Sequence, residues 1–253
     1  MSSKLLVGST GVLGSSFEGY DLLRPSKREL DITSRVSIAD YLDVHPVDTI
    51  INCAAMVGID LCEHRKFESY VLNVHGASNL AQACSLRGIR LVHFSSLYSG
   101  YENQYTKTKL VSEEYVREHL TDHAILRLPW MFGGTRPTTF LHKALECLHV
   151  GTVFKAYPDV GYVVYTKDVV DYVMKNIDVL AGTLDLIGTD TITKKDVVEY
   201  TADLLRLKCR VELMPRAHVM TLHLGKHQYT LRNWRESLKE YLTTHTVRSM
   251  NDK

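Results

Sequence analysis

Lys4-Leu5-Leu6-Val7-Gly8-Ser9-Thr10-Gly11-Val12-Leu13-Gly14 decides the fold. A short apolar run makes a strand, and glycines at Gly8, Gly11 and Gly14 follow it without a break. Val12 to Phe17 then reads as the start of a helix. Strand, glycine turn and helix form the unit in which backbone N–H groups approach a pyrophosphate at a helix N-terminus. Glycines at this spacing also mark ordinary turns. The strand before and the helix behind them favour a dinucleotide site.

Outward from that stretch, Tyr20 to Arg24 can form the second strand, and Asp48 to Asn52 and Ile89 to Phe94 are further apolar strands. Glu68 to Ser85 and Tyr105 to Leu120 carry helical periodicity. Ala124 to Leu128 extends the pattern with a strand and Tyr165 to Val179 with a helix. Strands alternating with helices predict an α/β fold with a Rossmann-like, doubly wound parallel sheet. From Gly134 the alternation loosens: Thr138 to Leu148 reads as helix, Thr152 to Tyr157 as extended chain, Thr193 to Leu207 as helix. The expected division is a dinucleotide-binding domain over 1–133 and 161–182, and a smaller substrate lobe over 134–160 and 183–253.

The 253 residues are 45% apolar, enough for a sizeable core, and the formal net charge is +1. No dense Lys/Arg run offers a footprint for nucleic acid or an anionic membrane, so a small molecule is the expected partner. No apolar stretch approaches the length of a membrane span, and the first fourteen residues lack a secretion-signal pattern. A soluble, cytoplasmic protein is expected. Cys53, Cys62, Cys84, Cys147 and Cys209 are odd in number and never spaced Cys-x-x-Cys, which argues against a disulfide framework and a zinc site. His218, His223 and His227 form no His-Glu-x-x-His pattern, so no metal is expected.

Tyr105 and Lys109 carry the chemistry. Four residues separate them, about one helical turn, so phenol and ammonium share a face. A nearby ammonium lowers a phenol's pKa and makes it a general acid/base near neutral pH. Ser96, at the end of a strand-like run, can hold the reacting oxygen. The end of the second strand reads Leu23-Arg24-Pro25-Ser26-Lys27-Arg28, in which Arg24 can pair with the 2′-phosphate of NADPH. Asp21 keeps NADH open.

These residues resemble the extended short-chain dehydrogenases/reductases, and among them the dTDP-4-dehydrorhamnose reductase-like family. The likeness rests on Gly8 to Gly14, Leu30-Asp31-Ile32-Thr33, Asn52-Cys53-Ala54-Ala55, Asp60-x-Cys62-Glu63, Asn73-Val74, Ser95-Ser96-x-Tyr98 and Tyr105-x-x-x-Lys109. It continues through Arg127-Leu128-Pro129-Trp130, Asp159-x-Gly161, Thr166-x-Asp168 and Trp234 to Leu238. The resemblance implies that Gly8, Thr10, Gly11, Val12, Leu13 and Gly14 meet the pyrophosphate. It sets Asp31 and Ile32 against the adenine, and Ala54, Ala55 and Met56 on the cofactor's ribose side. Ser96, Tyr105 and Lys109 would be the catalytic group, with Ser96, Leu97 and Trp130 facing the sugar.

What it implies is an NAD(P)H-dependent reductase of a nucleotide-linked 4-keto-6-deoxy sugar. Leu97 stands where a sugar-nucleotide dehydratase would want an acidic residue, which favours simple keto reduction. Two other readings remain: a nucleotide-sugar epimerase with bound NAD, and a non-catalytic dinucleotide-binding subunit like the methionine adenosyltransferase beta subunit. Only eight residues separate Ser96 from Tyr105, so the pocket is either open or closed by a partner, as in a homodimer.

Overall fold

The computed structural model describes residues 3–98, 103–215 and 222–251. The run Lys4–Val7 becomes strand β1 and is followed by a single 3-10 turn, Gly14–Phe17, then helix α1 (Arg35–Val44), strand β2 (Thr49–Asn52) and helix α2 (Ile59–His64). Helices α3 (Lys66–Tyr70) and α4 (Gly76–Arg87) are joined through a π-turn at Val71–His75. Then come β3 (Arg90–Ser96), α5 (Gln104–His119), β4 (His123–Leu128), β5 (Trp130–Phe132), α6 (Phe140–Val150), β6 (Phe154–Ala156), β7 (Val160–Gly161) and β8 (Val163–Tyr165). The chain ends through α7 (Thr166–Asn176), β9 (Gly182–Ile187), β10 (Ile192–Thr193), α8 (Lys194–Leu205), β11 (Val211–Leu213), β12 (Gln228–Thr230) and α9 (Trp234–Asn251).

Six strands form one parallel sheet in the order β1-β2-β3-β4-β9-β12. Both faces are covered, as an all-parallel sheet requires. Phe17, Val169, Val170 and Val173 pack on Leu6, Ile51, Val92 and Leu126 on one side. Ile38, Leu42, Ala77, Leu80 and Val116 pack on Leu5, Ile50, Leu91 and Ile125 on the other. Successive strand residues therefore feed opposite cores, and each fully buried aliphatic side chain contributes roughly 1.5–3 kcal/mol.

Three expectations need correction. The helix expected from Val12 is only the 3-10 turn at Gly14–Phe17, because the chain must be back beside β1 at Leu23. The second strand is a one-residue parallel bridge, Leu5 to Leu23, and Pro25 lacks the N–H that a longer ladder would use. Residues 183–187 and 228–230, expected in the lobe, belong to β9 and β12 of the main sheet. Apolar Leu184, Leu186 and Leu231 join the same core as Leu6.

The three short two-stranded sheets, β5-β8, β7-β10 and β6-β11, lie outside the main one. Their core gathers Phe132, Leu141, Tyr165, Val197, Trp234, Leu238 and Tyr241, so the Trp234 tail is a structural keystone of this region. Among the described residues no helix is long and apolar enough to cross a membrane.

The chain leaves β1 toward Leu23 on one side and returns as β2 on the other, which makes the carboxyl ends of β1 and β2 the topological switch point. There Gly8 adopts φ +78°, and a Cβ on it would stand 2.5 Å from the Ala54 nitrogen. Gly19 has φ +89° with open space around it. Gly19→Ala should therefore cost about 1–2 kcal/mol for backbone conformation alone. Gly8→Ala should cost several kcal/mol more, since backbone must move. Urea unfolding of the two variants measures the difference; equal losses would show that the contact yields freely.

Candidate active site

The turn after β1 is bonded to itself and to a distant loop. Gly11 N–H donates to the Gly8 carbonyl at 3.0 Å and Ser15 N–H to the Gly11 carbonyl at 2.9 Å. Ser15 Oγ donates to the Val12 carbonyl at 3.2 Å and accepts from Thr135 N–H at 3.0 Å. A Cβ at Gly14 would come within 2.1 Å of the Gly8 oxygen, so the third glycine is required by the crossing of the turn over itself, as the first is by the approach of Ala54. Thr10 is exposed, Gly11 and Val12 are half-buried, and Leu13 turns its side chain into the core. A backbone stripped of Cβ atoms at a switch point fits a pyrophosphate, although one 3-10 turn offers it less dipole than a full helix.

Arg24 does not do what its charge suggests. Its guanidinium folds back on the carbonyls of Phe17 at 2.6 Å, Tyr20 at 2.8 Å and Leu22 at 3.1 Å, closing the loop that replaces the helix. Ser26, Lys27 and Arg28 are exposed beside it. Asp31 accepts from the Thr33 N–H and hydroxyl at 2.9 and 2.7 Å; burial opposes its charge, but these bonds and Lys27 hold its pKa below the ordinary value. The Ile32 side chain is buried against Gly76, while its carbonyl accepts from Asn79.

The segment Ala54–Met56 is fixed by two asparagines. Asn52 Oδ1 accepts from Ala54 N–H at 3.0 Å. Asn73 Oδ1 accepts from Met56 N–H at 2.7 Å, and its Nδ2 donates to the Met56 carbonyl and to Thr108 Oγ1, both at 3.0 Å. Thr108 in turn donates to the Tyr105 carbonyl. Asn73 therefore ties the loop after β2 to α5. The sequence flagged Asn73 only as part of a motif; its pairing needs the fold.

Ser96 ends β3, and Tyr105 and Lys109 lie on the first turns of α5. The helix starts where it does because Asn103 Oδ1 accepts from Thr106 N–H and Glu63 Oε1 accepts from Gln104 N–H. The Ser96 hydroxyl lies near that of Tyr105 and accepts from Tyr98 N–H at 3.1 Å. The electrostatics reverse the expectation of an activated phenolate. Burial of its hydroxyl, helped by Cys62, pushes Tyr105 up to about 12, with Ser96 pulling the other way. Lys109 is itself only 4% exposed and burial brings it down to about 8, against the attraction of Glu113, Cys53 and Cys62. The burial of the phenol itself, rather than the charge of Lys109, sets its acidity. At neutral pH the pair is phenol and ammonium.

Glu113, one turn past Lys109, is 1% exposed and accepts from Arg127 at 2.9 and 2.6 Å and from Arg117 at 2.5 Å. Cys62, which the sequence treated as a family marker, sits beside both Tyr105 and Lys109 and donates to the Met56 carbonyl at 3.5 Å. Burial and Glu63 raise its thiol to about 11, so it is a neutral wall.

Two residues expected at the sugar differ from that reading or refine it. Leu97 is fully buried, with its N–H on the Leu128 carbonyl and its carbonyl accepting from His223, so its side chain lines no pocket. Trp130 is 8% exposed, stacks on Tyr98 with centroids 5.4 Å apart, and has Lys194 Nζ 4.7 Å from its ring centroid. Trp130 Nε1 and the Tyr98 hydroxyl have no protein partner, and burial raises the Tyr98 phenol. A Cβ on Gly161 would collide with that hydroxyl, which explains the glycine. Residues 99–102 of the loop between Ser96 and Tyr105, and His218, lie outside the described residues.

Lys109 makes stability pH-dependent. Its folded pKa of about 8 is below its ordinary 10.5, so between these values the unfolded chain binds more protons and stability rises with pH. Relative to Lys109→Met, wild type should gain on the order of 1–2 kcal/mol between pH 8 and 9.5 in urea unfolding. A flat difference would place the ammonium in solvent.

Residues 3–247 match the family described as RmlD substrate binding domain. The chain is 23% identical to spore coat polysaccharide biosynthesis protein SpsK of Bacillus subtilis over 96% of this chain and 97% of that protein. It is 29% identical to a dTDP-4-dehydrorhamnose reductase of Mycobacterium tuberculosis, matching 52% of this chain and about half of that one, 51%. A dTDP-4-dehydrorhamnose reductase from Bacillus anthracis, solved in complex with NADP, superposes with TM-score 0.87 at 21% identity, covering 96% of this chain and 100% of that one. With the parallel sheet, the crossed glycine turn and the Ser96–Tyr105 contact already in hand, the match along nearly the whole length means that the chain belongs to the RmlD-like family of extended short-chain dehydrogenases/reductases.

Proposed function

We propose that this protein is an NAD(P)H-dependent reductase of a nucleotide-linked 4-keto-6-deoxy sugar. The observation that carries the reading is the convergence of Ser96, at the end of β3, with Tyr105 and the buried Lys109, one helical turn apart on α5, at the switch-point end of the sheet. The names of the relatives support it. A nicotinamide cofactor, when bound, supplies the hydride.

The residues divide the remaining work. Tyr105, kept protonated by a pKa of about 12, donates its proton to the carbonyl oxygen as negative charge grows there. Ser96 Oγ hydrogen-bonds the same oxygen and fixes its approach. Lys109 holds the ribose and supplies a positive charge near the developing alkoxide. Gly8, Gly11, Val12 and the Ala54–Met56 segment hold the cofactor through backbone. A raised phenol pKa favours reduction, because the acid form is the resting form.

Turnover of 4-keto-6-deoxy sugar nucleotides with NADPH, followed by loss of reduced cofactor, tests the reading. Tyr105→Phe should lower the rate by about 10²–10⁴ with cofactor affinity nearly unchanged. Full activity in that variant would refute the mechanism.

NADPH is the preferred cofactor in this reading, with Lys27, 3.9 Å from the Asp31 carboxylate, and Arg28 as the exposed cations for the 2′-phosphate. Replacing both by Ala should weaken NADPH by about one to two powers of ten and NADH little. Arg24→Ala should weaken both cofactors alike, because it opens the loop. A selective loss of NADPH in Arg24→Ala would restore that residue to the phosphate.

A further inference from the structure

His93 lies on β3 beneath α5, 1% exposed, and takes no part in the chemistry above. Its Nδ1 is 3.1 Å from Asn52 Nδ2, and its Nε2 is 3.1 Å from Ser112 Oγ. Ser112 Oγ donates to the Lys109 carbonyl at 2.7 Å. Asn52 Oδ1 accepts from the Ala54 N–H.

These contacts admit one arrangement of protons. The Ala54 N–H can only donate, so Asn52 must turn its oxygen to Ala54 and its amide N–H to His93. His93 Nδ1 is then an acceptor, and the ring proton is on Nε2. Ser112 receives that proton's hydrogen bond and passes its own to the Lys109 carbonyl. Every member is satisfied and all bonds run in one direction, the condition under which a buried polar network rigidifies its surroundings. A second ring proton would face the Asn52 N–H. Burial, the Lys109 ammonium and His123 all disfavour it.

We propose that His93 is a positioning residue that holds Lys109 in register with Ala54, so that the two sides of the cofactor's ribose are gripped as one unit. The chain of bonds runs from the loop after β2, through β2 and β3, to the helix that carries Tyr105 and Lys109. The proposal rests on the cofactor reading above. Its distinctive consequence is that cutting the chain far from the cofactor weakens cofactor binding without touching the glycine turn.

Ser112→Ala cuts the last joint and leaves the rest of the core in place. NADPH titrated by fluorescence should bind it about fivefold more weakly, the worth of one buried hydrogen bond, and Ser112→Thr should restore wild-type affinity. His93→Phe should weaken binding at least as much, and the double variant no further. Ring nitrogen shifts of labelled wild-type protein should report the neutral Nε2–H tautomer at neutral pH. Unchanged NADPH affinity in Ser112→Ala, additive losses in the double variant, or an Nδ1–H tautomer would each overturn the proposal. A wild type that binds neither NADPH nor NADH would overturn the cofactor reading and this proposal together. A wild type that binds while Ser112→Ala binds equally well overturns this proposal alone.

Discussion

The approach of Gly8 to the backbone of Ala54 is the constraint on which the catalytic end depends. Parallel strands diverge in twist but must stay within hydrogen-bonding distance, and here two of them end with their loops in contact. No side chain fits between. Once that crossing is fixed, the turn from Gly8 to Gly14 has one path, the Ala54–Met56 segment another, and the space between them can be filled only from outside. Asn52 and Asn73 secure the second path, and Asn73 extends the constraint to α5 through Thr108.

The charges follow from the same geometry. Lys109 is brought down onto β2 and β3 where Cys53, Cys62 and His93 surround it, and its compensation comes from Glu113 one turn away. Glu113 is in turn neutralised by Arg127 and Arg117. The arrangement is a graded one, from a fully paired carboxylate at the back to a lightly held ammonium in front. A buried ammonium whose charge can be lost near pH 8 is costly for stability and responsive to whatever anionic or hydroxyl groups arrive beside it.

The parallel sheet, the glycine turn and the Ser96, Tyr105, Lys109 group were legible because each depends on local spacing: an apolar strand, a crossing that only glycine allows, a four-residue helical step. That Arg24 folds back was not legible, because residue type reports charge, not which acceptors lie within reach; the carbonyls of Phe17, Tyr20 and Leu22 are exposed to it by a helix that fails to form. The Tyr105 acidity was misread for a related reason. Spacing predicts that a lysine is near, whereas the acidity is set by how deeply the phenol itself is buried. Strand β9 was overlooked because the looser alternation after Gly134 obscures a return to the main sheet, and the burial of Leu97 because a residue adjoining Ser96 along an extended chain alternates to the opposite face. Asn73 and His93 act across elements far apart in sequence, and no local pattern announces such partners.

The loop from Gly14 to Leu23 has a dynamic consequence. Most of what a full helix would provide along this path, a ladder of repeated bonds and a broad packed face, is replaced by one 3-10 turn, Phe17 in the core and a single guanidinium spanning three carbonyls. Elements with so few mutually supporting bonds open at a small fraction of the global unfolding free energy. Beyond these, among the described residues, the only side chains that hydrogen-bond the corner to the rest of the fold are those of Ser15, Ser16 and Tyr20, so opening it should cost less than opening the sheet beneath it, and release of a molecule lying along the glycine turn would need only that corner to move.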